Sequence, residues 1–378
     1  MSSATAPDVV VIGAGMVGAA TALALAEAGL GVTVLEREFA GSGSTGSAMG
    51  HLVVMDDSPA QLALTVYSSL RWQALAATLP VDAEVTRCGT LWVAATDAEL
   101  AGAAARVAGY GSAGVRAEVL TASQLQQAEP ALRPGLAGAV LVPDDGVCYP
   151  PTVARELLRH AAALGATVRD RRRVRSIASG SVTLDDAQVL HAGAIVVAAG
   201  IESRALISGL PIVPRKGHLV ITDRRPGLVR HQLVELGYLH SAHSFDGSSV
   251  AFNVQPRPNG QLLIGSSREL VGTDSSINRA LVHEMLARAI AFLPAVADVR
   301  ALRTWVGFRP ATADKLPLIG PWPDLPGVWI AAGHEGLGIT MAPGTADLIV
   351  AGIRGTTPPL DPTPFRPDRP MPALEPAA

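Results

Sequence analysis

Lysine is nearly missing from this 378-residue chain: of 30 basic residues, only Lys216 and Lys315 are lysine. Schiff-base chemistry therefore has few candidates. Cysteine is as scarce. Cys88 and Cys148 cannot make a disulfide framework, and neither has His or Cys neighbours at metal-ligand spacing, so no metal centre is expected and a reducing compartment fits. Charge of one sign is lacking too. The formal net charge of −3 gives no field for nucleic acid or an anionic membrane. The one basic run, Arg169-Asp170-Arg171-Arg172-Arg173-Val174-Arg175, has no interleaved aromatics and reads as a solvated edge around a short strand. Long membrane-type runs are also missing. Val9 to Ala26 is almost wholly apolar, but glycines interrupt it and no basic residue precedes it; Ala192 to Ile201 is far too short to span a bilayer. No membrane span is expected, and the chain reads as cytoplasmic. What is plentiful is apolar residue, 48%, enough for a large core spread over two or three domains' worth of chain.

The densest signal lies in residues 8 to 36. A short apolar strand, Asp8 to Ile12, runs into Gly13-x-Gly15-x-x-Gly18; an Ala/Leu-rich helix follows to about Ala28, then a second strand, Val32 to Leu35, ending on Glu36. Gly13 permits the tight strand-to-helix turn, Gly15 lets backbone approach a pyrophosphate, and Gly18 lets the helix pack closely. The helix start offers N–H groups and a positive dipole end to phosphates. Glu36 is placed to accept hydrogen bonds from ribose hydroxyls.

A Gly/Ser-rich loop, 40 to 51, suggests backbone lying against a flat ligand, followed by a strand-like run from Leu52 to Met55. Helical periodicity covers Pro59 to about Leu79, and Gly89 to Val93 reads as a strand. Residues 97 to 130 alternate helix and loop. A helix starts at Pro150-Pro151 and runs to about Leu164. Strands are expected at 167–168, 174–178 and 181–184, with a fully buried one at 194–200. Alternating β segments follow at 217–222, 249–254 and 261–265, then a helix from Ile277 to Leu293. The closing part holds Trp305-Val306-Gly307-Phe308-Arg309-Pro310, a strand at 328–331, a Gly-rich turn to Met341 and a helix near Ala346 to Ile353. Beyond Thr356 the tail is Pro-rich and expected to be extended. Parallel α/β character at the ends and middle, with antiparallel character between, implies two interleaved domains.

These motifs, in this order, resemble the flavin-dependent amino-acid oxidoreductases of the D-amino acid oxidase, glycine oxidase and sarcosine oxidase superfamily. The likeness covers nearly the whole chain and rests on the glycine signature with Glu36, the 42–50 loop, Asp145-Gly146 through Pro150-Pro151, Val197 to Gly200, Val213-Pro214-Arg215-Lys216-Gly217, Gly307-Phe308-Arg309-Pro310, Asp314-x-x-Pro317-x-Ile319-Gly320 and Ala332-Gly333-His334 with Gly338-Ile339 and Ala342-Pro343. The resemblance implies an α/β fold: a Rossmann-like FAD-binding domain (1–82, 145–216 and 302–360) interleaved with an α+β antiparallel-sheet substrate domain (83–144 and 217–301), and a tail at 361–378. It implies FAD bound through Gly13, Gly15, Gly18, Glu36 and Arg37, with Ser44, Thr45, Ser47, Met49 and Gly50 along the flavin. Val174 would meet the adenine through its backbone, and Ala199 and Gly200 would lie nearby. His334 and the turn of Gly336, Leu337, Gly338, Ile339 and Thr340 would serve the pyrimidine end. Ser47 stands where a covalently attaching histidine occurs in relatives, and the C-terminal third has no cysteine, so the FAD is expected to be non-covalent.

The implied reaction is oxidation of a Cα–N bond by hydride transfer from Cα to flavin N5, with catalysis from orientation and stabilisation of the reduced flavin. Arg309 would pair in bidentate fashion with the substrate carboxylate. His51 would face flavin and substrate, or alternatively serve packing. Tyr238, Asn253 and Arg257 are candidates for the substrate roof, Tyr238 carried as a third site residue. Met49-Gly50-His51 and the Gly333 to Ile339 segment look nearest to bacterial D-hydroxyproline, opine and hydrogen-cyanide-synthase-type dehydrogenases. The expected substrate is a small amino or imino acid, with cis-4-hydroxy-D-proline leading and glycine, sarcosine or opines as alternatives. The acceptor is oxygen, a quinone or a partner chain, so a homo- or hetero-oligomer fits. A nicotinamide-dependent dehydrogenase would share the Rossmann unit but would leave the 42–50 loop and the C-terminal motif unexplained. An FAD-holding subunit of a multi-chain enzyme stays open as well.

Overall fold

The computed structural model describes residues 6–237 and 248–372. Two sheets dominate. The first has six strands in the order Leu318–Pro321, Val328–Ala332, Ala194–Val197, Val9–Ile12, Val32–Leu35 and Thr167–Arg169. All its neighbours pair in parallel except Leu318–Pro321, which returns antiparallel to Val328–Ala332. Every residue of its three central strands is buried, as expected when both faces of a parallel sheet are covered. Alternation decides which face. Val9, Val11, Val34 and Val196 pack beneath the helices Met16–Glu27, Pro150–Ala163 and Gly338–Arg354. Val10, Ile12, Leu35 and Ile195 point the other way, onto Val174, Val182 and Leu184 of a three-stranded sheet.

The second sheet has eight strands in the order Ala301–Ala311, Val213–Thr222, Leu262–Arg268, Ser249–Pro256, Gln232–Glu235, Thr90–Ala94, Gly138–Val142 and Glu118–Thr121. Its longest ladder aligns Arg215 with Arg309 and Gly217 with Gly307. Helix Arg279–Phe292 covers one face, and the Phe252 and Phe292 rings stack 4.5 Å apart. The interleaving of the two sheets along the chain follows the sequence expectation. The expected boundaries at 216/217 and 301/302 fall inside the strands Val213–Thr222 and Ala301–Ala311.

Several elements differ from the sequence reading. The 42–50 loop contains one helical turn, Gly43–Gly46, and of the expected run from Leu52 to Met55 only Leu52 is strand, in the two-residue strand His51–Leu52. Val53, Val54 and Met55 are buried irregular backbone whose N–H groups donate to the side chains of Thr340, Asp145 and Thr65. Seven strands were not foreseen: Glu118–Thr121, Gly138–Val142, Gly146–Val147, Val189–His191, Gln232–Glu235, Ala301–Ala311 and Leu318–Pro321. Glu118–Thr121 is an edge with one buried residue in four, and Gln232–Glu235 hides its strand character by burying both polar ends. The last helix starts at Gly338, well before Ala346, and carries Pro343 inside it. Proline supplies no N–H to the carbonyl of Ile339. Trp72 Nε1 lies 3.1 Å from that carbonyl oxygen and 3.0 Å from that of Thr340, donating where the helix ladder is broken. The same region, Glu335–Arg354, is the one helical stretch among the described residues long and apolar enough to cross a bilayer, and 61% of its apolar window is buried inside the protein. The described part of the Pro-rich tail, 356–372, is pinned to the fold. Phe365 is buried, and Arg369 donates to both carboxylate oxygens of Asp314, at 2.6 and 2.9 Å.

Candidate active site

A cavity of about 830 Å³ runs from the glycine turn of the first sheet to the face of the second. At one end Gly13 adopts φ +105°, and a Cβ there would lie 2.5 Å from the carbonyl oxygen of Ala198. Bare backbone therefore faces the cavity. Gly15 lines it as well, whereas Gly18 lies behind the turn against the carbonyl of Gly13. Glu36 has its carboxylate in place: Oε2 accepts from Ala14 N and Oε1 from Glu38 N, both at 2.8 Å. Thr45 Oγ1 accepts from Met16 N at 2.9 Å, pinning the 42–50 loop to the helix start. Arg37 reaches Glu202 at 3.1 Å. Val174, Ala199 and Gly200 line this end. So do Arg172, Arg173 and Arg175, so part of the basic run forms the rim of the cavity as well as a solvated edge.

The loop's middle is fastened to the second sheet. Ser44 Oγ donates to Phe308 O at 2.6 Å, Trp305 Nε1 to Ser47 O at 3.3 Å, and Gln255 Nε2 to Met49 O at 2.9 Å. Ser44, Thr45, Ser47, Met49 and Gly50 all line the cavity. His51 follows on the strand opposite Val147, its carbonyl accepting from Thr340 Oγ1 at 3.0 Å. Its Nε2 is buried with no hydrogen-bond partner among the described residues. Burial, and then the nearby Arg309 charge, lower its pKa to about 4, so the imidazole is neutral at physiological pH.

Arg309 projects from Ala301–Ala311 over Gly217, in space that a side chain at 217 would fill. Its Nη1 donates to Ser267 O at 3.2 Å. Ser267 is itself held: its Oγ accepts from His218 N at 2.8 Å and lies 2.9 Å from His218 Nδ1, while His218 Nε2 accepts from Asn278 N at 3.0 Å. That acceptor role leaves Nδ1 as the protonated nitrogen. Lys216, fully buried beneath, is engaged by Glu269 at 3.3 Å and by Ser276 O at 3.1 Å.

His334 lines the cavity but is buried, with Nε2 2.9 Å from Thr345 Oγ1, and burial lowers it to about 3. It is neutral framework and carries no charge to the site. Gly336, Leu337, Gly338 and Ile339 line the cavity, and Thr340 lies one step behind as the link to His51 and Val53. The Gly338–Ile339 part is a helix start, not a loose turn, so its N–H groups share one direction.

Of the roof candidates, Asn253 lines the cavity with a buried Oδ1 that has no partner among the described residues. Arg257 does not line it: it pairs with Glu84 at 2.7 Å and lies 4.8 Å over the Tyr149 ring. Tyr238 lies outside the described residues. The sequence reading missed Arg215, Arg268, Lys315 and Glu335, which line the same end as Arg309. Arg215 and Glu335 stood inside segments cited for the resemblance, and Lys315 stood at an unspecified position of Asp314-x-x-Pro317; Arg268 carried no local signal.

The chain is similar to known proteins along most of its length. Glycine oxidase of Pseudomonas aeruginosa is 29% identical, the match covering 95% of this chain and 98% of that one. The hydrogen cyanide synthase subunit HcnC of the same species is 31% identical over 68% of this chain and 61% of its own length. The crystal structure of glycine oxidase from Geobacillus kaustophilus superposes with a TM-score of 0.87 at 26% identity, covering 97% of this chain and 99% of that one. The family described as FAD dependent oxidoreductase matches residues 8–351. With the glycine turn, the braced Glu36 and the cavity between two sheets, this places the chain in the family of FAD-dependent oxidoreductases.

Proposed function

We propose that this chain oxidises the Cα–N bond of a small amino or imino acid, whose carboxylate pairs with Arg309. The observation that carries the reading is the placement of Arg309: its guanidinium is anchored on Ser267 O and faces the same cavity as the glycine turn. A planar fork held from behind suits a carboxylate at a fixed angle. The likeness to glycine oxidases supports an amino-acid substrate.

The residues present fit FAD. The side-chain-free backbone at Gly13, the carboxylate of Glu36 and the 42–50 loop would hold it, with the Gly336 to Ile339 segment directing N–H groups toward its far end. When bound, FAD supplies the acceptor for the hydride leaving Cα. Non-covalent binding is supported by the cavity lining, which includes neither Cys88 nor Cys148 and has Ser47 beside Gly307. The protein's own part is orientation. Arg309 fixes the carboxylate, and neutral His51 can accept a hydrogen bond from the substrate amine or from a ring hydroxyl. That buried, unpartnered His51 Nε2 supports a D-imino acid such as cis-4-hydroxy-D-proline among the candidates.

The similarity to a hydrogen cyanide synthase subunit favours a second reading of the electron path, in which a partner chain or quinone takes the electrons in place of oxygen. Anaerobic mixing of the yellow holoprotein with amino acids and with their nitrogen-free analogues tests the reaction. Bleaching by amino or imino acids alone is expected; bleaching by the hydroxy-acid analogues alone would overturn it. Rapid return of colour on admitting air would favour oxygen as acceptor, and persistence of the reduced form a partner.

A further inference from the structure

Three polar side chains on one face of the second sheet are buried with an atom that nothing satisfies. The ladder pairs Trp92 with Val234 and Val234 with Asn253, so these side chains stand side by side. Gln232, two residues before Val234 on the same strand, shares their face. That face is the one turned to the cavity, which all four residues line. Gln232, Trp92 and Asn253 are 1%, 3% and 5% exposed. Gln232 Oε1, Trp92 Nε1 and Asn253 Oδ1 are each without a hydrogen-bond partner among the described residues. Buried polar atoms are normally paired, and three that are not, grouped on one cavity wall, point to a bound group that pairs them.

The row starts beside the carboxylate anchor and runs away from it. Asn253 pairs with Gly265, where the missing Cβ makes room for the 42–50 loop: a Cβ there would lie 3.0 Å from Met49 Sδ. Two residues further along that strand, Ser267 O holds Arg309 Nη1. From Asn253 the row continues across the sheet through Val234 to Trp92. A substrate whose carboxylate is held at Arg309 therefore directs its other end toward these three side chains. None of the four residues in the row is titratable. Arg106, 6.0 Å over the Trp92 ring, already meets Asp56 at 3.0 Å.

The hydrogen-bonding capacity of the row selects among ligand groups. Trp92 Nε1 only donates, so the bound group must contain an acceptor. Each side-chain amide presents oxygen or nitrogen according to a half-turn about its last bond. A primary carboxamide, with one acceptor and two donors, pairs with the indole and with either setting of the amides. A hydroxyl has a single donor and cannot serve two amide oxygens at once. A carboxylate has acceptors only, and its charge would be buried against a row that holds no cation. We infer that Trp92, Gln232 and Asn253 form a subsite for an uncharged primary carboxamide at the end of the substrate away from Arg309. This rests on the amino-acid oxidation proposed above and narrows its substrate to amino acids with a terminal amide, of the asparagine and glutamine type. A hydroxylated imino acid becomes the poorer substrate.

The test uses the FAD-loaded enzyme with two readouts. In calorimetry, succinamate is compared with 4-methylpentanoate, which has the same shape without the amide, and with succinate. In anaerobic flavin reduction, D-asparagine and D-glutamine are compared with D-leucine, D-aspartate, glycine and cis-4-hydroxy-D-proline. Succinamate is expected to bind at least about 10-fold more tightly than 4-methylpentanoate, and D-asparagine or D-glutamine to reduce the flavin with the highest kcat/KM. Asn253→Leu and Gln232→Met keep the size of the side chain and remove its polar atoms. Each should lower the succinamate-to-4-methylpentanoate ratio by about 10-fold or more, with FAD content and melting temperature measured alongside. Should Asn253→Leu fail to fold, Gln232→Met carries the comparison. Equal binding of the two ligands, or a ratio unmoved in the variants, would overturn the subsite, and amino-acid oxidation stands if glycine or D-leucine bleaches the flavin. Faster reduction by D-aspartate or by cis-4-hydroxy-D-proline than by both amides would overturn the carboxamide in favour of a charged or a hydroxyl group. Selective succinamate binding with no bleaching by any amino acid would instead overturn the reaction and leave the subsite standing.

Discussion

The indole of Trp72 donates to the carbonyl of Ile339, the acceptor that Pro343 cannot serve. A helix broken by proline is thereby completed by a residue 267 positions away in sequence. Ser68, on the same helix Pro59–Ala76, accepts from Gly344 N at 3.2 Å, and a Cβ at 344 would lie 2.5 Å from its Oγ. Close approach of the two helices is what fixes the start of Gly338–Arg354 at the cavity wall. Trp72→Phe keeps the ring and removes the donor. It should cost about 2 kcal/mol of unfolding free energy in urea denaturation, from buried carbonyls left unsatisfied. An unchanged midpoint and slope would mean that the indole only fills space.

Gly13 gives the sharpest test of the cofactor end. Gly13→Ala places a side chain at φ +105° and against Ala198 O. Strain of about 1–3 kcal/mol is expected, together with loss of FAD on gel filtration. Normal flavin content in that variant would contradict the assigned turn.

Non-covalent attachment is checked by acid precipitation of the holoprotein. The yellow colour should pass to the supernatant. Colour kept in the pellet would require a bond to a residue such as His51, which lines the cavity.

How much of this was legible in the sequence depends on how local each cause is. The Gly13 turn could be read because its requirement, a residue without Cβ, is written at that position. Arg309 could be read because its neighbours Gly307 and Pro310 travel with it in one motif. The start of the last helix could not: Gly338, Pro343 and Gly344 are each helix-weakening locally, and the compensating Trp72 and Ser68 are distant in sequence. The arginine cluster was equally hidden. Arg215 meets Arg309 only through strand register, and Arg268 joins them through the neighbouring strand, so scarce lysine concealed a cationic pocket built from arginine.

Acid sensitivity follows from buried neutral histidines, His334 and His51 foremost, with His218 lowered by burial in the same direction. His334 and His51 are lowered by burial, the latter also by Arg309, to about 3 and about 4 from the ordinary value of 6.5. Below pH 6.5 the unfolded chain therefore binds protons that the folded chain refuses. Their stabilising contribution is fully present above 6.5 and is lost as pH falls toward 4, by up to about 1.4 kcal/mol per unit for each group. Asp145, raised by burial to about 7, works in the opposite sense and is common to wild type and variant. His334→Gln should lose about 1–2 kcal/mol less than wild type between pH 6.5 and 5 in chemical denaturation. Identical losses would show that His334 is protonated alike in both states.

The central claim, a carboxylate-bearing amino or imino acid held by Arg309, is tested most directly by the steady-state and flavin-reduction kinetics of Arg309→Lys with its FAD content measured alongside. The charge stays and the fork is lost. With FAD content normal, KM should rise about 10- to 100-fold, equivalent to about 1.4–2.8 kcal/mol of lost binding. Wild-type KM and flavin-reduction rate in that variant would contradict the assignment and leave Arg309 a structural residue anchored on Ser267.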